Sequence, residues 1–190
     1  MHPRRLAASA LLLLAACDQG GGRLEGPALT VPDCRKVGEV TQFTPFELEL
    51  EFMGVNAADG VAFMRMASAS GRLDMSDHLA ISFSSPSNEL AAASPESSRT
   101  FRLAPGAEGD AELTLALLDR CRFHTAAMVA VGEITFERWG WQNGERVRGT
   151  MAFDIIDRRT GAVLGTDLTG DFDFESLTGS PYTPFAPHRY

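Results

Sequence analysis

The sequence predicts an all-β domain, an antiparallel sandwich or partly open barrel of about eight to ten strands. Three observations predict it. Apolar and polar residues alternate with period two in short runs, as in Glu47-Leu48-Glu49-Leu50-Glu51-Phe52. Clusters of Gly, Pro, Ser and Asn punctuate those runs. Near the C-terminus, Asn143-Gly144 sits between two alternating runs, a strong signal for a hairpin with a two-residue turn. A length of 190 residues suits one domain, and 44% hydrophobic with 22% charged residues is ordinary for a globular chain.

Taken in order, residues 18–32 are Gly-rich (Gly20-Gly21-Gly22, then Gly26-Pro27) and read as part of a flexible tether over 17–32. The domain proper is expected over 33–178. Glu47–Phe52 reads as a half-buried strand, Val61–Met66 as a less regular one, and Leu79–Phe83 and Thr100–Leu103 as two more. A short helix is expected at Ser87–Ala93, capped by Ser87 and stopped by Pro95. Leu113–Leu117 alternates as a strand does, although a short apolar run is also compatible with a helix. The Pro-rich stretch 179–190 reads as an extended tail.

The C-terminal meander permits register arithmetic. A two-residue turn pairs Gln142 with Glu145, so Phe136 faces Met151, Ile134 faces Phe153 and Gly132 faces Ile155. A second turn at Arg158-Arg159-Thr160-Gly161, with Gly161 supplying positive φ, pairs Asp157 with Ala162. Ile155 then faces Leu164, Met151 faces Leu168, Gly149 faces Gly170 and Val147 faces Phe172. All apolar side chains fall on one face, and a one-residue slip turns them outward. On the other face the same arithmetic aligns Trp139–Arg148–Asp171 and Trp141–Arg146–Asp173. These rows read as cross-strand lacing that stiffens the sheet, or as a surface on which paired indoles stack against sugars or apolar partner groups.

The N-terminus carries a different message. Arg4 and Arg5 precede Leu6–Ala16, an apolar run of eleven residues. That run falls short of the ~20 residues a bilayer span requires, but it suits the core of a signal peptide. It ends in Leu14-Ala15-Ala16-Cys17. These residues resemble the lipobox of bacterial lipoproteins. The resemblance implies a signal peptide cut after Ala16, lipid attached to the Cys17 thiol, and a domain held at a membrane of the bacterial cell envelope. Asp18, next to the Cys, resembles an inner-membrane retention signal. Cleavage removes two of the 17 basic residues and none of the 25 acidic ones, leaving a net charge of −10.

That reading fixes the expectations for cysteine. With Cys17 lipidated, Cys34 and Cys121 remain, and an oxidising envelope favours their pairing. The long loop so closed would stabilise by roughly 4–5 kcal/mol on the chain-entropy account.

Function classes narrow by exclusion. A net charge of −8 has the wrong sign for gripping nucleic-acid phosphates. The sequence contains no Gly-x-Ser-x-Gly, no His-Glu-x-x-His and no P-loop, so no catalytic residue is singled out and no cofactor is expected. His78 and His124 read as surface or internally satisfied histidines. Asp167, Asp171, Asp173 and Glu175 share one strand face, but they lack the order of a calcium loop, and Arg146 and Arg148 compete for them, so no metal is expected. The chain thus reads as a membrane-anchored, non-enzymatic binding or structural module with an envelope protein or glycan as partner. The alternatives are an envelope hydrolase, or a lipocalin-like carrier of an apolar ligand, although the Gly-x-Trp signature of that family is missing.

Overall fold

The computed structural model describes residues 19–58, 61–68, 76–84, 96–121, 127–140 and 142–176. The strands are β1 (Gly20–Gly26), β2 (Leu29–Pro32), β3 (Val40–Phe43), β4 (Phe46–Leu50), β5 (Phe52–Ala58) and β6 (Val61–Ala67). They continue with β7 (His78–Phe83), β8 (Arg99–Leu103), β9 (Ala111–Ala116), β10 (Met128–Arg138), β11 (Arg146–Asp157) and β12 (Val163–Glu175). One short 3-10 turn, Gly106–Glu108, precedes β9. The expected helix at Ser87–Ala93 and the tail 179–190 lie outside the described residues. Leu113–Leu117 resolves as strand: β9 takes residues 111–116 with every second side chain buried.

Ten strands form one sheet, nearly closed into a barrel-like shape, and β2 and β3 form a separate ribbon. Closure follows from two features. First, β12 pairs antiparallel with β1, from Gly20↔Phe174 to Glu25↔Thr169. Second, β4 and β5 are separated only by Glu51 and act as one bent strand: β4 pairs with β1, and β5 pairs with β6. The ring then runs up and down in chain order, β1, β4–β5, β6, β7, β9, β10, β11, β12, each antiparallel to the next. β8 lies outside that order, pairing with β10 beside β9 and meeting β9 at one parallel bridge, Leu103↔Ala111. The sandwich alternative is thereby set aside.

The segment expected to be a flexible tether is instead part of the wall. Residues 20–26 form an interior strand with β4 on one side and β12 on the other. Glycines disfavour strands on propensity, which is why the segment reads as a linker. Their use is close approach: a Cβ on Gly22 would stand 2.8 Å from the Asp171 carbonyl oxygen and 3.1 Å from the Phe172 Cβ. Leu29–Pro32 is likewise a strand, so only Cys17 and Asp18 of the presumed tether precede the described fold.

The meander keeps its predicted faces but moves in register. The Asp157–Ala162 turn forms as expected, with the Asp157 N–H donating to the Ala162 carbonyl at 2.8 Å and Gly161 at φ 72°. Two irregularities then advance the pairing, so that Phe153 faces Leu168, Met151 faces Gly170, Gly149 faces Phe172 and Val147 faces Phe174. Near them Asp167 adopts φ 56°, and its N–H donates to the Asp154 carboxylate at 2.9 Å. Between β10 and β11, Ile134 faces Met151, Phe136 faces Gly149 and Gly132 faces Phe153. Each of these pairings differs from the arithmetic by two residues, whereas Ile155, between the two irregularities, faces Gly165 and not Leu164. A shift of two preserves the side-chain face, so the apolar side still points inward.

The core is continuous. It includes Leu24, Leu48 and Leu50 from the β1–β4 side, Met64 and Met66 from β6, Leu79 and Ile81 from β7, and Phe172 and Phe174 from β12. Phe83, Phe101, Phe136, Trp139 and Phe172 form an aromatic cluster, with Phe136 edge-on to Trp139 at 4.3 Å between ring centroids and to Phe172 at 5.3 Å. The ribbon buries Leu29 and Val31, and Phe43 packs on the core. It lies at the end of the ring where β1 stops and β4 starts, called the cap end below. The opposite, leading end carries the start of β1, the close of β12 and the β10–β11 loop.

Candidate functional site

The place where the wall lacks a neighbouring strand is the bend at Glu51. Alternation of β4 puts Phe46, Leu48 and Leu50 inside and Glu47, Glu49 and Glu51 outside. The Glu51 N–H donates to the Ala67 carbonyl at 2.9 Å, which joins the bent strand to β6. Toward the cap end, no strand among the described residues pairs with the far edge of β4. A cleft of about 360 Å³ opens there, lined by the three glutamates and by Ser68, Asp119 and the ion pair of Asp77 with Arg120.

Asp77 and Arg120 bridge the gap. Asp77 immediately precedes β7, and Arg120 follows β9 in a tight turn closed by the Cys121 N–H on the Leu117 carbonyl at 2.8 Å. The Asp77 side chain is 2% exposed; one oxygen takes the Arg120 Nε at 2.8 Å. The other accepts the backbone N–H groups of Asp119 at 2.9 Å and Arg120 at 3.3 Å. Arg120 also donates from Nη1 to the Glu47 carbonyl at 2.6 Å and lies over the Phe46 ring. One guanidinium therefore ties β4 to the β7 and β9 side where backbone pairing is missing. Burial pushes the Asp77 carboxyl above its ordinary value of 3.8, opposed by the two N–H donors and by the Arg120 charge.

The disulfide anchors the same region. Cys34, just past β2, is bonded to Cys121, the residue after Arg120. The expected pairing is present, and it pins the ribbon to the barrel end. His78 is buried, with Nδ1 2.9 Å from the Ser76 carbonyl and the Arg65 guanidinium against its ring. His124 lies outside the described residues.

Of the two predicted indole rows, Trp139–Arg148–Asp171 does not assemble. Glu137 is a bulge: pairing jumps from Phe136↔Gly149 to Arg138↔Arg148. One extra residue reverses the face of everything beyond it, so Trp139 turns into the core, where it is 2% exposed. It has no free face for a ligand. Trp141 lies outside the described residues. Arg148 pairs with Glu137 at 3.1 Å, while Asp171 stands opposite Thr150 and Arg23. One expected contact does form, between Arg146 Nε and Asp173 Oδ1 at 2.5 Å, diagonally across β11 and β12. That hydrogen bond holds the Asp173 carboxyl below its usual range. Cys17 lies outside the described residues. Among the described residues, no group of three or more His, Cys, Asp or Glu side chains is arranged to hold a metal ion.

Sequence reasoning missed Asp77 and Arg120. The available signal was their adjacency to elements that were read correctly, one beside a strand start and one beside a cysteine. Comparison with protein-family models, curated proteins and solved structures finds no match to this chain.

Proposed function

We propose that this protein is a cell-envelope lipoprotein, anchored through lipid on Cys17, whose barrel serves as a non-enzymatic binding or structural module. The observation that carries the reading is the leader itself, Arg4-Arg5 followed by the eleven-residue stretch Leu6–Ala16, apolar but for Ser9, whose close runs Leu14-Ala15-Ala16-Cys17. The barrel is consistent with it. Its strands turn charge outward, as in Arg23, Glu47 and Glu49, and apolar residues inward, the reverse of a barrel that spans lipid. No helix among the described residues is long and apolar enough to cross a membrane. The strongest acid–base pair at the candidate site, Asp77 with Arg120, is consumed in holding the wall together, which favours a module over a hydrolase. Palmitate labelling of the wild type and of Cys17→Ala tests the anchor. Label and membrane retention are expected only with Cys17 present, and a Cys17→Ala protein that stays as firmly bound refutes it.

One observation favours a second reading. An eight-membered up-and-down ring is also the architecture of small-ligand carriers. A ring of that size holds either packed side chains or one small ligand. The cluster of Phe83, Phe101, Phe136, Trp139 and Phe172 gives side chains a large share of that interior. Mass spectrometry of solvent extracts from the purified protein separates the two: a stoichiometric apolar compound beyond the anchor establishes the carrier.

A further inference from the structure

Gln19, the residue before β1, is fastened to Met53 and to Glu175. Its side-chain amide donates to the Met53 carbonyl at 2.6 Å and to the Glu175 carbonyl at 2.9 Å, and its own carbonyl accepts the Glu175 N–H at 2.6 Å. Gly20 then pairs directly with Phe174. Only Asp18 stands between Cys17 and this fixed point. Two residue steps reach at most about 7–8 Å. The loop that joins β10 to β11 is tied to the same spot. The Gly144 N–H donates to the Ser176 carbonyl at 2.9 Å, and the Ser176 N–H donates to the Glu145 carbonyl at 2.7 Å.

From this we propose that the barrel stands end-on against the bilayer, with its leading end, including the 142–145 turn, at the lipid headgroups and its disulfide-pinned cap pointing away. The proposal rests on lipidation of Cys17. A lipoprotein body on a long linker is free to roam; this one is held within about two residues of its anchor. β11 spans twelve residues between the two turns. At about 3.3 Å per residue and a tilt of 35–45°, the 158–161 turn stands roughly 30 Å farther from the bilayer than the 142–145 turn. The part available to a partner reaching from the opposite side is therefore the cap, where Val37 is 74% exposed and Val40 63%.

The test uses the full lipidated protein in vesicles of phosphatidylethanolamine and phosphatidylglycerol carrying nitroxide-labelled headgroups. A fluorophore is placed at Gln142→Cys or at Arg159→Cys without reductant, so that Cys34–Cys121 stays closed. Quenching at least threefold stronger at 142 than at 159 is expected. Inserting ten Gly/Ser residues between Asp18 and Gln19, a coil of roughly 17 Å, is expected to abolish the difference. Equal quenching in a protein whose mass shows the lipid overturns the orientation alone. A protein whose mass lacks lipid overturns the anchor, and the orientation with it.

Discussion

Replacing Trp139 by alanine separates the structure from the surface role that simple alternation assigns to this residue. The indole is 2% exposed and lies 4.3 Å from the Phe136 ring, 5.1 Å from Phe83 and 5.6 Å from Phe101, measured between centroids. A buried indole removes up to about 250 Å² from water, an upper bound near 6 kcal/mol at about 25 cal/mol/Å². Alanine recovers part of that and leaves a cavity, so a loss of about 3–5 kcal/mol is expected. For a domain of this size that corresponds to roughly 10 °C or more in Tm. Denaturant titration followed by circular dichroism gives the number. Arg148→Ala is the control, since its side chain is 57% exposed and its pair with Glu137 is worth less than about 1 kcal/mol. If Trp139→Ala costs under about 1 kcal/mol, the indole is on the surface and the bulge at Glu137 is wrong.

Arg23→Pro tests β1: in a tether it is silent, whereas within the sheet it is expected to destabilise by about 3 kcal/mol or more, read by thermal unfolding. Replacing Cys34 and Cys121 by serine opens a link across 87 residues and is expected to cost about 4–5 kcal/mol, with dithiothreitol producing the same fall in the wild type. Asp77→Ala strips Arg120 of its partner and leaves two turn N–H groups without their acceptor; about 2–3 kcal/mol is expected, less than for a fully buried pair because the Arg120 side chain is 33% exposed. The Asp77 carboxyl binds its proton more tightly folded than unfolded, so its contribution to stability falls as pH rises from its ordinary value of 3.8 through its raised folded value and is level above that. Asp77→Asn is expected to remove this slope from a pH series of denaturation midpoints.

Much of the wall was legible because a strand declares its face locally. The alternation Glu47-Leu48-Glu49-Leu50-Glu51-Phe52 required no knowledge of its neighbours; Leu48 and Leu50 are buried and the three glutamates exposed, while the bend at Glu51 divides the run and leaves Phe52 only half-buried. The Asn143-Gly144 turn also formed, with the Glu145 N–H on the Gln142 carbonyl at 3.0 Å. Of this pair only Gly144 takes positive φ, so the turn is not the type that needs both. It is the tip of a longer loop whose strands resume pairing only at Arg138 and Arg148. The candidate site was less legible than the wall. Asp77 and Arg120 lie 43 residues apart and meet because the ring closes imperfectly there.

What the sequence determined by itself was the class of fold, the inward face of each long strand, the two hairpin turns and the pair of cysteines that an oxidising compartment would join. Each is set by a local pattern or by elimination within a short inventory. Only the tertiary structure decided that Gly20–Gly26 is a wall strand, that β12 returns to it, that a bulge sends Trp139 inward, and that one arginine spans the open edge of β4. Those outcomes depend on pairing between residues distant in the chain. A strand's hydrogen-bonding edge is the same backbone whatever its side chains, so it does not name its partner, and a single inserted residue reverses a face without changing the composition that predicted it.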